Sequence, residues 1–190
     1  MLPKLVRTRR FGDARGWFTE SYNADRSAAA GIGDSFVQDN HSFSAERFTL
    51  RGLHFQRAPH AQAKLVRCAA GAIWDVAIDV REGSPTHGRW VAAELTADGG
   101  EQMYVPVGFA HGFLSLTENA QVLYKASGFY APASEGAIAW DDPELAIDWP
   151  LGGAGPALSD KDLTAGSLAG VASGFRYDGD PLGALEEVMA

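Results

Sequence analysis

The segment Arg51 to Arg67 reads Arg-Gly-Leu-His-Phe-Gln-Arg-Ala-Pro-His-Ala-Gln-Ala-Lys-Leu-Val-Arg. It holds two histidines, one lysine and three arginines within seventeen residues. Imidazole is the side chain suited to moving protons near neutral pH, so His54 is a candidate general base. Lysine is a compact cation, so Lys64 suits a developing oxyanion. Arg15, Arg51 and Arg67 carry planar forks that match phosphate or carboxylate. Each has an ordinary alternative: a hydrogen-bonded core histidine, a charged strand end, solvated surface arginines.

Other candidates lie far off in sequence. Tyr124, in Gln121-Val122-Leu123-Tyr124-Lys125, is a general acid if its hydroxyl turns into a cleft, and a packing residue otherwise. Asp162, in Ser159-Asp160-Lys161-Asp162, fits two roles. It is the acidic third position of a capped helix, or a carboxylate that accepts from a histidine Nδ1–H and fixes its tautomer. His111 lies between turn-forming residues in Gly108-Phe109-Ala110-His111-Gly112. A second reading sets His54, His60 and His111 as ligands of a metal-dependent enzyme. Against it, no His-x-His pair occurs on one strand face, where ligands would recur at spacing two. A third reading is a non-catalytic binding module.

These residues need a scaffold, and the pattern around them is β. Trp74, Val76, Ile78 and Val80 alternate with Asp75, Ala77, Asp79 and Arg81. Gly71 separates this run from Lys64–Ala69, as a hairpin or a bent strand. Further runs at 36–44, 48–56, 90–95, 102–105, 111–116 and 121–130 are spaced by turn signals, as in an all-β sandwich or barrel. Asn23 predicts the cap of a helix that Gly31 ends. Ser159–Leu163 predicts a helical turn, and Asp180-Pro181 a short final helix ending near Met189. Strict alternation puts Arg51 and His54 on opposite faces of one strand, so a shared pocket requires a bulge or bend near Gly52.

Composition narrows the classes. The chain has 190 residues, 46% of them hydrophobic, which predicts one domain with a packed core and a C-terminal extension over about 164–190. A net charge of −8 argues against a nucleic-acid groove. The single cysteine, Cys68, allows no internal disulfide. The basic start lacks an apolar signal region, and no run approaches the length of a membrane span. A cytoplasmic protein is expected.

Eight stretches, in order, resemble the dTDP-4-dehydrorhamnose 3,5-epimerase family. They are Phe11-Gly12-Asp13-Ala14-Arg15-Gly16, Gln38-Asp39-Asn40-His41-Ser42, Arg51-Gly52-Leu53-His54-Phe55-Gln56, Lys64-Leu65-Val66-Arg67-Cys68, Pro106-Val107-Gly108-Phe109-Ala110-His111-Gly112-Phe113, Leu123-Tyr124-Lys125, Ser134-Glu135-Gly136 and Ser159-Asp160-Lys161-Asp162. The resemblance implies a mainly all-β, cupin-type jelly roll with a few short helices. It implies work without metal or cofactor, and a homodimer with N-terminal strand exchange. The implied substrate is dTDP-4-dehydro-6-deoxy-glucose, epimerised at C3 and C5. His54 resembles the general base, Asp162 its orienting partner, Tyr124 the general acid and Lys64 the group beside the enolate oxygen. Arg15, Glu20, Gln38, Asp39, Asn40, Arg51, His111, Glu135 and Lys161 match positions lining the nucleotide, diphosphate or sugar. Relatives of this fold also include single-centre epimerases of nucleotide 4-keto sugars.

Overall fold

The computed structural model describes residues 1–190. Two sheets face each other, and a short hairpin stands apart. The first sheet takes β1 (Lys4–Arg7), β4 (Gln38–Ser44), β6 (Lys64–Ala70), β9 (Gln102–Val105), β11 (Ala120–Ala126) and β13 (Glu186–Met189), in the order β13-β1-β9-β6-β11-β4. The second takes β5 (Leu50–Gln56), β7 (Ala72–Asp79), β8 (Trp90–Thr96), β10 (Phe109–Ser115) and β12 (Glu135–Ala137), in the order β12-β5-β10-β7-β8. The separate hairpin is β2 (Arg10–Asp13) with β3 (Gly16–Thr19). All pairings are antiparallel except β1 with β13. The result is a mainly β jelly roll with two short helices, α1 (Ala24–Ala29) and α2 (Asp160–Leu163).

Alternation decides what faces the space between the sheets. Val66, Cys68, Ile73, Ala77, Met103, Phe109, Phe113 and Val122 fill most of it. Toward one end the same inward positions turn polar, and the cavity lies there. The outer face of the five-stranded sheet is not solvated. Leu50, Leu53, Phe55, Val76, Ile78, Val80 and Leu114 are covered by Ile138, Leu145, Trp149 and Leu168 from the later chain. Strand β7 is therefore buried on both faces. Its polar face, Asp75 and Asp79, points into the sandwich with no exposure at all.

Gly71 makes neither a hairpin nor a simple bend. The chain turns there, with φ +76°, from one sheet into the other. A Cβ at Gly71 would lie 2.1 Å from Thr117 Oγ1. Asn23 caps α1 by accepting from the Asp25 and Arg26 N–H groups, and Gly31 follows with φ +80°. The predicted final helix is a strand instead. Glu186–Met189 pairs in parallel with β1 along its free edge, and tertiary pairing overrides a helix-prone Leu-Glu-Glu composition. The segment after 164 is held to the body by Phe175 and Leu168 on the outer cluster, and by Arg81 to Asp178 at 2.6 Å.

Candidate active site

The cavity opens between β4, β6 and β11 on one wall and β5, β10 and β12 on the other. It has two lobes, of about 340 and 330 Å³, which share His54, Lys64, Tyr124, Tyr130 and Glu135. Each side chain arrives by period-two alternation. Gln38, Asn40 and Ser42 are the inward residues of β4, Tyr124 of β11 and Lys64 of β6.

On β5 the alternation breaks, as the shared pocket requires. Against β10, His111 pairs with His54 but Phe113 pairs with Arg51, so β5 carries one extra residue there. This bulge brings Arg51 and His54 to the same cavity. It depends on glycines on both strands. Gly52 has φ +133°, and a Cβ on it would lie 2.5 Å from Gly112 Cα.

His54 is partly exposed, with 23% of its side chain reached by solvent, and it stands against Asp162, which is 4% exposed. Asp162 Oδ1 lies 2.8 Å from His54 Nε2, close enough for a charge-assisted bond though off the line of the ring N–H. The nitrogen facing the carboxylate is thus Nε2, not the Nδ1 expected from sequence. Nδ1 has no protein partner. The two readings of Asp162 are both realised. Ser159 accepts from the Asp162 N–H as N-cap of α2, and its hydroxyl donates to Asp162 Oδ2 at 2.7 Å. Burial alone would raise the Asp162 pKa. The bonds from His54 and Ser159, with the His54 charge and the Gly52 N–H, outweigh it and hold the carboxyl below its usual range.

Lys64 makes no ion pair with any protein group. Its residue surface is only partly covered, but the ammonium sits deep between the walls. Desolvation pushes its pKa down to about 8, opposed by the charges of Asp75 and Glu135 and assisted by that of Lys161. Tyr124 projects from the opposite wall to His54. Burial raises its pKa, Glu135 and Tyr130 add to this, and Arg51 opposes it, so the phenol stays protonated through neutral pH.

Around these groups, His111 is buried and its Nε2 donates to Asp75 at 2.8 Å. Lys161 pairs with Glu135, which also accepts from the Tyr130 hydroxyl at 3.2 Å. Arg51 donates to the Phe43 carbonyl at 3.0 Å. Of the residues singled out from sequence, Gln38, Asn40, Arg51, His54, Lys64, His111, Tyr124, Glu135, Lys161 and Asp162 converge here. Three do not. Arg15 is on the outlying hairpin, 90% exposed and paired with Asp13. Glu20 faces Arg26 at 3.4 Å. Asp39 points to the outer face of its sheet and pairs with Lys125 at 2.9 Å. His60 is exposed on the turn after β5, so His54, His60 and His111 do not gather as ligands.

Sequence reading passed over Tyr130, which lines the cavity, and Asp75, which stands behind His111 in its wall. Tyr130 lies past the end of β11, and no periodicity marks it. Asp75 was visible in the β7 alternation, but only the cover on the other face of β7 shows that its own face is interior.

An imidazole and a phenol on opposing walls, with an unpaired ammonium in the same cavity, are groups suited to proton transfer beside a carbonyl. The family described as dTDP-4-dehydrorhamnose 3,5-epimerase matches residues 3–170. The dTDP-4-dehydrorhamnose 3,5-epimerase of Pseudomonas aeruginosa is 55% identical over 166 residues, covering 87% of this chain and 90% of the relative. The dTDP-6-deoxy-D-glucose-3,5-epimerase of Legionella pneumophila, solved in complex with dTDP-4-keto-L-rhamnose, superposes with TM-score 0.87 at 45% identity, covering 93% of this chain and 94% of the other. A 3′-monoepimerase of Streptomyces bikiniensis, solved with dTDP-quinovose, superposes with TM-score 0.81 at 37% identity, covering 88% and 84%. The chain belongs to the dTDP-4-dehydrorhamnose 3,5-epimerase family.

Proposed function

We propose that His54, Lys64 and Tyr124 carry out the epimerisation of dTDP-4-dehydro-6-deoxy-glucose at C3 and C5, giving dTDP-4-dehydro-L-rhamnose for dTDP-rhamnose biosynthesis. The observation that supports this most is the placement of His54 and Tyr124 on opposing walls of one cavity. The C4 ketone acidifies the hydrogens on both neighbouring carbons. His54 Nδ1 takes one of them, and the electron pair moves into an enolate whose oxygen faces the Lys64 ammonium. Tyr124 then gives its phenolic proton to the same carbon from the other side, which inverts the centre. His54 and Tyr124 return to their starting states by exchange with solvent. C3 and C5 flank one carbonyl, so one base and one cation serve both.

Asp162 orients His54 through Nε2. Arg51, Gln38, Asn40, His111, Glu135 and Lys161 hold the diphosphate and sugar in this reading. Arg15, Glu20 and Asp39 do not line the chain's own cavity. The hairpin that carries Arg15 stands away from the body and exposes Phe11, Trp17 and Phe18. That supports a homodimer in which each hairpin reaches the nucleotide end of the other subunit's cavity.

The test is direct. Purified protein incubated with dTDP-4-dehydro-6-deoxy-glucose is followed by NMR. New signals of dTDP-4-dehydro-L-rhamnose support the reading, and an unchanged substrate spectrum overturns it. The likeness to a 3′-monoepimerase keeps a single-centre reaction as the second reading, marked by product inverted at one carbon only.

A further inference from the structure

Asp75 is fully buried behind His111 in the cavity wall, and nothing in the reaction as described uses it. It projects inward from β7 with no exposed surface. One oxygen, Oδ1, accepts from His111 Nε2 at 2.8 Å. The other, Oδ2, is buried without any hydrogen-bond partner. A lone unpaired carboxylate oxygen in a protein interior is costly unless a positive charge faces it.

We infer that Asp75 is a positioning residue whose buried charge keeps the Lys64 ammonium protonated in the cavity. This rests on the role proposed above for Lys64 at the enolate oxygen.

The surroundings of Lys64 leave Asp75 as the group able to do this. From α2 come Lys161, which is positive, and Asp162, which is engaged by His54 and Ser159. From β12 comes Glu135, already paired with Lys161 and bonded by Tyr130. β5 presents Arg51 and His54, β10 presents His111, and β11 presents Tyr124, and none of these supplies negative charge at neutral pH. Asp75 is therefore the acid whose charge is least committed elsewhere, and it is the strongest charge favouring the ammonium form of Lys64. Its bond to His111 gives it a second positioning effect. The ring is fixed with its proton on Nε2, leaving Nδ1 as the free nitrogen.

The chain has four lysines, so the charge state of Lys64 is readable directly. Protein labelled with ¹³C at lysine Cε is titrated by NMR, with the Lys64 signal assigned by its loss in Lys64→Arg. In the wild type the signal titrates near 8. In Asp75→Asn, which keeps an oxygen for His111, the midpoint is expected to fall by about one pH unit. Asp75→Thr makes the same charge deletion in a smaller group if Asn is not tolerated. A Lys64 midpoint that stays put in the neutral variant overturns the inference whatever the enzyme's activity. The alkaline limb of the rate profile is expected to move down with the midpoint, with KM changed less than kcat. A purely structural role for Asp75 would instead lower the rate evenly at all pH. If the midpoint moves but the limb does not, Asp75 sets the charge as inferred, and the role of Lys64 in the reaction is what fails.

Discussion

His54 and Tyr124 divide the reaction between them, and the division is measurable. His54→Ala removes the group that takes the proton, so both exchange and inversion are expected to fall by roughly 10²–10⁴-fold while the protein stays folded. Tyr124→Phe keeps the base and removes the acid. Hydrogen exchange with solvent should persist while inversion falls by a similar factor. Equal loss of exchange in both variants would argue against separate roles. Lys64 makes a different prediction. Its native pKa, about 8, lies below the ordinary 10.5, so the unfolded chain binds this proton more tightly than the native one does. Folding is opposed increasingly as pH falls from 10.5 toward 8, and the full cost is present at pH 7. Lys64→Met is therefore expected to be nearly inactive yet more stable by roughly 1–3 kcal/mol at pH 7 in urea denaturation. The gain should vanish above the unfolded pKa. A variant less stable than wild type would show that the ammonium is not held against desolvation.

At the scale of elements, β5 is the part on which the site most depends. Its bulge puts Arg51 and His54 on one face, and the Gly52–Gly112 contact leaves no room for a side chain. Gly52→Ala must both strain a positive φ and displace the β10 backbone. A loss of about 2 kcal/mol or more is expected in chemical denaturation, together with loss of activity beyond that explained by unfolding. An active variant of wild-type stability would remove the bulge from the account. This feature was legible in sequence, because Arg51 and His54 matched one site but sat at opposite-face spacing. Gln38, Asn40 and Tyr124 entered through the family resemblance, and the structure shows simple alternation carrying them inward. Other elements were not legible. Residues 186–189 have the composition of a helix end, and only the open edge of β1 makes them a strand. The alternation of β7 separates two faces but does not say which one is covered, so Asp75 could not be placed in the interior. The cover comes from residues 138–175, where sequence patterning is weak.

For the whole molecule, the displaced hairpin makes the assembly testable. If Arg15 serves the partner's cavity, Arg15→Ala and His54→Ala damage different chains of each site. Mixing the two inactive proteins under subunit exchange should restore up to about a quarter of wild-type activity, because half the dimers are mixed and each has one intact site. No recovery, with exchange shown by mass, would confine Arg15 to its own chain.

The central claim is proton removal from the carbons on both sides of C4 by the cavity that holds His54. It is tested most directly by incubating the enzyme with dTDP-4-dehydro-6-deoxy-glucose in D₂O and reading deuterium at each ring carbon by NMR. The account predicts label at both C3 and C5, lost at both in His54→Ala. Label at only one carbon would contradict double epimerisation, and none above the enzyme-free control at either would contradict the account as a whole.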